Sequence, residues 1–173
     1  MVEDLKINTV LGNVTREIVE PVEGQSNFKE LDAAVYAARE HDLKLVILLF
    51  GAFKNGNTTL TIGALGMSSY APLWVKTNNK RFPRAKIRNT KGILKSSNVL
   101  SLFDDATREA DARTYVAMMS HLKEIDEDHS TVIMVQVENE PGLLGDSRDR
   151  CHAAGKACEE DMPDEVVSFF RDD

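Results

Sequence analysis

The sequence has few of the residues that would hold a metal ion or a disulfide scaffold. Cys151 and Cys158 are its only cysteines and lie near one another in a polar segment, so a scaffold built on disulfides is excluded. The four histidines, at positions 41, 121, 129 and 152, show no spacing typical of a zinc site, and a metal ion needs several ligands together. The sequence therefore predicts no metal and no cofactor.

Long apolar runs and clusters of basic residues are also missing. The longest apolar run, LKLVILLFGAF at 43–53, is shorter than the roughly 18 to 20 residues that cross a bilayer. The N-terminal MVEDLKIN lacks the basic and then apolar pattern of a signal peptide. The net charge is −7, whereas phosphate binding relies on clustered Lys and Arg. We expect neither a membrane nor a nucleic acid as partner, and the compartment and the oligomeric state stay open.

What is present is typical of one globular domain. The chain has 173 residues, 42% of them apolar and 28% charged. Short strand-like runs alternate with longer helix-like ones, which predicts an α/β fold around a parallel sheet. The run KLVILLF at 44–50 is apolar at both parities, as expected of a central parallel strand that is covered on both faces.

Other elements follow the same alternation. Residues 7–11 (INTVL) form a candidate first strand, and Asn27 with Glu30 three positions later predicts a capped helix through residue 42. Residues 51–103 have the pattern of a long irregular stretch, and a second helix follows with Asp104 or Asp105 as its N-cap. The apolar stripes of the two helices are Phe28, Leu31, Val35 and Ala38, and Tyr115, Met118, Met119, Leu122 and Ile125.

The last predicted strand, STVIMVQVENE at 130–140, carries carboxylates into a place where function is expected. In parallel α/β folds, binding and catalytic groups lie beyond the carboxyl ends of the strands. This rule points to residues 12–20, to residue 51 onward and to residues 138–142. The tail after residue 158 is a candidate for one short terminal helix.

Strand alternation places Gln136, Glu138 and Glu140 on one face of the last strand. The opposite, apolar face (Ile133, Val135 and Val137) then packs against helices. In a barrel interior or cleft, burial and a neighbouring carboxylate both raise the pKa of a carboxyl group, which lets it hold a proton for catalysis near neutral pH. The alternative is an edge strand whose polar face meets water.

The segment VIMVQVENEPG at 132–142 resembles the Gln-x-Glu-Asn-Glu-x-Gly segment of the glycoside hydrolase family 35 and 42 β-galactosidases, which are retaining TIM-barrel enzymes. The resemblance implies that Glu140 is the general acid/base at the end of the fourth barrel strand. It also implies that Asn139 hydrogen-bonds the sugar next to the scissile bond and that Glu138 has a supporting role in substrate binding.

The resemblance extends in order along nearly the whole chain. Residues 7–28, 43–56, 67–77, 80–84 and 147–150 are similar to further segments of the same family. Two departures stand out: Arg16 occupies the position of a family tryptophan, and residues 57–66 form an insertion in a loop that faces substrate. The implied fold is a partial (β/α)8 TIM barrel, with parallel strands that resemble barrel strands two to four.

Four other residues are candidates for sugar contacts. Lys54 and Asn55 follow the third barrel-like strand, although Lys-Asn-Gly is also a common turn. Glu17 matches a family glutamate, but a surface ion pair with the adjacent Arg16 is an equal alternative. Trp74 is placed to stack on a sugar ring or, instead, to pack its own loop.

The chain length leads to a further expectation. A TIM barrel takes about 250 residues, and the resembling family carries its nucleophile near the end of the seventh strand, so residues 1–173 are expected to be an incomplete glycoside hydrolase domain that is inactive alone. Glu138 is a poor substitute for that nucleophile. Two functions follow: a β-galactosidase-like hydrolase acting on terminal β-galactosides or other oligosaccharides, or a vestigial carbohydrate-binding protein without catalysis.

Overall fold

The computed structural model describes residues 6–51, 70–139, 143 and 146–171, which form strands and helices in an α/β order. The strands are β1 Thr9–Thr15, β2 Lys44–Phe50, β3 Arg84–Arg88, β4 Leu94–Leu100 and β5 Val132–Gln136. The helices are α1 Arg16–Val19, α2 Lys29–Glu40, α3 Leu73–Lys76, α4 Asp105–Asp126, α5 His152–Glu159 and α6 Asp164–Arg171.

Three parallel strands form the main sheet in the order β1-β2-β5. β2 lies in the centre and has the bounds that its apolar pattern predicts. β1 and β2 pair without interruption, whereas the pairing of β2 with β5 shifts register between Leu45 and Val46. The predicted α/β fold around a parallel sheet is confirmed.

The main core lies between one face of this sheet and the helices α2 and α4. Leu45, Ile47 and Leu49 point to that side from β2 and are buried. The buried helical residues that meet them are Leu31, Val35, Ala38, Met118 and Leu122. Both helical stripes are therefore core packing, except that Met119 lies at the exposed border of its stripe.

Several predicted boundaries are wrong in detail. The first strand runs from Thr9 to Thr15 and not over residues 7–11, because pairing with β2 holds the polar positions of β1 in the sheet. The N-cap position of α2 is Phe28 and not Asn27, although the Asn27 Oδ1 accepts the Lys29 N–H at 3.3 Å. Asp104 does cap α4, since its side chain accepts the Thr107 N–H at 2.8 Å.

The stretch predicted to be irregular contains α3 and an antiparallel hairpin, β3–β4. Buried Asp149 anchors this hairpin, because its side chain accepts hydrogen bonds from Ser101 Oγ at 2.7 Å and from the Lys86 N–H at 2.9 Å. A second core joins this region to α4, and its buried members are Ala71, Val75, Phe82, Leu100 and Ala110. The tail forms the predicted terminal helix, α6, and α5, which begins before the tail at His152, is a further helix that the pattern did not predict.

None of the helices in the described ranges has the length and apolar character needed to span a membrane.

Candidate functional site

The carboxyl ends of β1, β2 and β5 meet at one edge of the parallel sheet. Arg16 directly follows β1, Gly51 directly follows β2, and Glu138 lies just beyond β5. Asp111 on α4 interacts with the side chains of Arg16 and Glu138, and its carboxyl group lies beside the backbone of Gly51. These are the three places at which the strand-end rule predicts a functional site, and the group Arg16, Gly51, Asp111 and Glu138 is called the strand-end cluster below.

Glu138 is bonded on two sides within this cluster. Its Oε2 accepts a hydrogen bond from the Gly51 N–H at 3.3 Å, and its carboxyl group is hydrogen-bonded to that of Asp111. Burial, followed by the hydrogen bond to Asp111 and its charge, raises the pKa of Glu138 to about 9. This environment favours the neutral form of the Glu138 carboxyl group.

Gly51 has no side chain at a point where none would fit. A Cβ added there would collide with the Glu138 carboxyl group and would lie 2.6 Å from Asp111 Oδ2. Both carboxyl groups thus approach the backbone of Gly51 from the space that a side chain would fill. The end of β2 is shaped to receive this pair.

Arg16 is fully buried and supplies the positive charge of the cluster. Its Nη1 lies 3.3 Å from Asp111 Oδ1 and its Nη2 lies 3.6 Å from Glu20 Oε2. Its Nε donates to Thr114 Oγ1 at 3.2 Å, and that hydroxyl donates to Glu20 Oε2 at 2.5 Å. Burial lowers the pKa of Arg16, while Asp111 and Glu20 oppose the shift.

Sequence reasoning missed Arg16 and Asp111 as site residues. One signal for Asp111 was available in the sequence. Asp111 is next to the stripe of Thr107, Ala110 and Thr114, which forms the buried face at this end of α4. A charged residue beside such a face requires a partner. Nothing local in the sequence indicates that Arg16 would be buried.

The predicted parity of the last strand is wrong at both ends. The register shift beside β2 brings Val132 and Val135 to the core and leaves Ile133 more than half exposed. β5 ends at Gln136, so strand alternation no longer applies to Glu138, which turns to Gly51 and Asp111. Val137, predicted to pack against helices, is also more than half exposed.

Glu17 forms an ion pair, but its partner differs from the predicted one. The Lys76 Nζ donates to Glu17 Oε2 at 2.9 Å, and Arg16 is engaged elsewhere. This ion pair connects α1 with α3. The Glu17 N–H adds a second connection, because it donates to the backbone oxygen of Tyr70 just before α3. The contribution of Glu17 to substrate binding stays a prediction.

Trp74 is held by contacts on several sides. Its Nε1 donates to Glu20 O at 3.1 Å, and the Arg16 guanidinium lies 5.3 Å from the ring centroid. Phe82 meets the ring edge-on at 5.5 Å. Trp74 therefore packs its loop against the neighbourhood of Arg16, whereas stacking on a sugar stays a prediction.

Asn139 follows the cluster directly. Its Oδ1 accepts a hydrogen bond from Gln136 Nε2 at 3.0 Å, and the same amide donates to Glu138 O at 3.0 Å. The other predicted site residues, Glu140, Lys54 and Asn55, lie outside the described residues, and their roles stay predictions. Within the part of the chain that the structure describes, no group of His, Cys, Asp or Glu side chains is arranged to hold a metal ion.

Comparisons with known proteins relate the fold to two glycoside hydrolases. Searches against protein-family models and against curated proteins give no match. A GH42 β-galactosidase from G. stearothermophilus is 16% identical with a TM-score of 0.55, over 90% of this chain and 19% of that one. The catalytic domain of a β-amylase from Paenibacillus polymyxa is 13% identical with a TM-score of 0.53, over 73% of this chain and 29% of that one.

These similarities establish the fold of the chain. Both neighbours are TIM-barrel glycosidases, and the three parallel strands with their helices correspond to part of such a barrel. The chain spans less than a third of the length of either neighbour. The edge that holds the strand-end cluster is the one at which TIM barrels carry their active sites.

Proposed function

We propose that this chain forms the acid/base side of the active site of a retaining, β-galactosidase-type glycosidase. One observation carries the proposal: Asn139 and Glu140 directly follow Glu138, which is bonded to the end of β2 and to α4 at the carboxyl edge of the parallel sheet. A residue that follows such an anchor emerges at the catalytic edge of the barrel. Residues 1–173 are proposed to belong to one catalytic barrel domain.

The proposed chemistry assigns distinct roles to the two residues after the anchor. Glu140 protonates the glycosidic oxygen as the bond breaks and then takes a proton from the attacking water. Asn139 donates a hydrogen bond from its side-chain amide to a sugar hydroxyl, since its Oδ1 already accepts one from Gln136. Lys54, Asn55 and Glu17 are proposed to contact further hydroxyls, and the reaction needs no cofactor.

Retention requires a second carboxylate, about 5 to 5.5 Å from the first, that attacks the anomeric carbon. Glu138 does not suit this role, because a neutral carboxyl group bonded to Asp111 and Gly51 is a poor nucleophile. The proposal therefore assigns the nucleophile to a barrel strand other than β1, β2 and β5. The substrate class is a terminal β-galactoside.

Binding of a galactose-configured ligand tests the proposal. Trp74 is the only tryptophan and contacts Arg16, so its fluorescence reports on this end of the sheet during titration with methyl β-D-galactoside. Asn139→Ala is expected to raise Kd about tenfold, the effect of losing one hydrogen bond of about 1.4 kcal/mol. Lys156→Ala, at an exposed residue of α5, is the control and should leave Kd unchanged.

The absence of saturable binding to the unmodified chain, or equal Kd values for Asn139→Ala and the control, would contradict the proposal. Methyl β-D-glucoside serves as the stereochemical comparison. Glu140→Gln is expected to retain binding, because the amide has nearly the shape of the carboxyl group.

A second candidate is carbohydrate binding without catalysis. It is favoured by the engagement of Glu138, the carboxyl group nearest to Glu140 in sequence, in bonds to Asp111 and Gly51. Hydrolysis of 4-nitrophenyl β-D-galactoside separates the two functions. Hydrolysis that Glu140→Gln abolishes supports the enzyme, while binding without hydrolysis in a preparation that contains every barrel strand supports the second candidate.

A further inference from the structure

We infer that Asp111 and Glu138 share one proton and that this carboxyl pair fastens the end of β5 to β2 and α4, thereby positioning Asn139. The inference deepens the proposed function and rests on it for what is positioned. The proton-sharing pair itself rests on the geometry of the strand-end cluster. Glu138 is then a positioning residue and not a sugar ligand.

The contacts of Glu138 require a shared proton. Its Oε2 accepts the Gly51 N–H, while its buried Oε1 receives no hydrogen bond from an N–H or O–H donor within the described residues. Both Oε1 and Asp111 Oδ2 crowd the space beside Gly51. Two ionised carboxylates that crowd the same space repel one another, whereas one proton between them allows a hydrogen bond.

The surrounding charges determine which carboxyl group keeps the proton. Arg16 faces Asp111 from α1 and forms an ion pair with its Oδ1 at 3.3 Å. Glu20 takes part of the positive field of Arg16, and Arg113 is a further charge near that guanidinium. From the β2 side, the described contact of Glu138 is the backbone N–H of Gly51. Burial and the neighbouring Asp111 carboxyl group raise the pKa of Glu138 and outweigh the opposing effects of the Gly51 N–H and of Arg16, so the inferred proton resides on Glu138.

The pair ties three separate elements to one another. Glu138 connects β5 with the backbone of β2 and with α4, and Arg16 extends the connection to α1. Asn139 comes next in the chain, so the direction in which it leaves the sheet depends on this anchor. Loss of the proton would place two like charges in a buried space and loosen the anchor.

The pH dependence of stability has a definite sign. The pKa of Glu138 is raised from an ordinary value of 4.5 to about 9 in the folded chain. Between these values the folded state holds a proton that the unfolded state releases, so the free energy of unfolding decreases as pH rises. The loss of stability begins near the pKa of the unfolded chain and is complete above the pKa of the folded chain.

Thermal unfolding of the purified chain between pH 5 and pH 9 tests the shared proton. Glu138→Gln keeps an acceptor for the Gly51 N–H and offers an N–H donor to Asp111 without a titratable proton. We expect its Tm to match that of the wild type at pH 5 and to exceed it by about 5 °C or more near pH 9. Glu17→Gln, in the ion pair with Lys76, is the control and should follow the wild type at the upper end of this range.

A parallel loss of Tm in Glu138→Gln and the wild type over this range would overturn the inference. If Glu138→Gln fails to fold, the shared proton is tested instead by a pH titration of the side-chain carboxyl ¹³C resonances of the wild type. One glutamate carboxyl resonance that titrates above pH 8 supports the shared proton, and its absence refutes it.

The positioning role has a separate readout. Glu138→Gln should bind methyl β-D-galactoside with the wild-type Kd at pH 6, whereas Glu138→Ala should weaken binding about tenfold. Equal Kd values for the two variants would overturn positioning. If no variant or wild type binds the sugar while the Tm profiles differ as expected, the carboxyl pair stands and the proposed function fails.

Discussion

Arg16 is a fully buried arginine at the end of a strand, and nearby charges offset the cost of placing it there. A buried guanidinium is tolerated only with ionic partners and hydrogen bonds. Asp111 and Glu20 provide the negative charges, and Thr114 accepts the Nε–H. The same guanidinium also contacts the face of Trp74. One side chain thus connects the carboxylates of α4 with the loop that carries α3.

Replacing Arg16 should destabilise the chain strongly. Arg16→Ala leaves Asp111 and Glu20 buried without their cation, and removing one partner of a buried ion pair costs about 3 to 5 kcal/mol. Urea unfolding at pH 7 measures the loss. Arg108→Ala removes an exposed ion pair with Asp105 and, as the control, should cost no more than about 1 kcal/mol. Similar losses in both variants would contradict this account of Arg16.

Among the elements, β2, β5 and α4 approach one another closely at the candidate site. Gly51 directly follows β2, and its backbone N–H donates to Glu138 beyond β5, while Asp111 reaches the same point from α4. The approach depends on the missing side chain of Gly51, and not on an unusual backbone conformation. Any side chain at position 51 has to displace the carboxyl pair.

We expect Gly51→Ala to lower stability and to release the pair. The added methyl group overlaps Glu138 and Asp111, and overpacking of this kind costs about 1 to 3 kcal/mol. Gly155→Ala in α5 is the matched control, because no atom lies within 4 Å of its added Cβ, and alanine in a helix is favoured by up to about 1 kcal/mol. Urea unfolding compares the two. If Gly51→Ala leaves both the free energy of unfolding and its dependence on pH unchanged, the close approach is contradicted.

At the scale of the whole molecule, the described residues cover one face of the parallel sheet fully and the other face only in part. α2 and α4 cover the side of Ile47 and Leu49. On the other side, Leu11 of β1 and Met134 of β5 are 65% and 61% exposed, and in the described sheet β1 and β5 are edge strands. Parallel sheets are normally covered on both faces, so the partly covered face and the edges favour self-association.

A charge on this face should reduce self-association. Met134→Lys is expected to lower the apparent mass in light scattering at high concentration, because burying a lysine in a sheet contact is unfavourable. Met162→Lys is the matched control, since Met162 is 60% exposed but lies between α5 and α6. Equal reduction by both substitutions would attribute the effect to net charge alone.

Local sequence determined those parts of the fold that depend on short-range physics. The apolar run of β2 set its bounds and its central position, the pair Asp104 and Asp105 marked the start of α4, and the stripe through Met118 and Leu122 marked the core side of that helix. The strand-end rule also located the edge at which the candidate residues meet. Each of these follows from periodicity or capping, which act within a few residues.

Tertiary structure alone decided which groups at that edge contact one another. The turn of Glu138 toward Gly51 follows from the early end of β5, and the burial of Arg16 depends on Asp111, which is far away in sequence. Hairpin β3–β4 could likewise not be predicted from local sequence, because one of its anchors is Asp149, which follows β5 in the chain. The sequence by itself determined that carboxylates lie at the strand ends. Only long-range contacts determined that Glu138 faces a second carboxyl group and keeps its proton, because burial and charge pairing are properties of the folded chain.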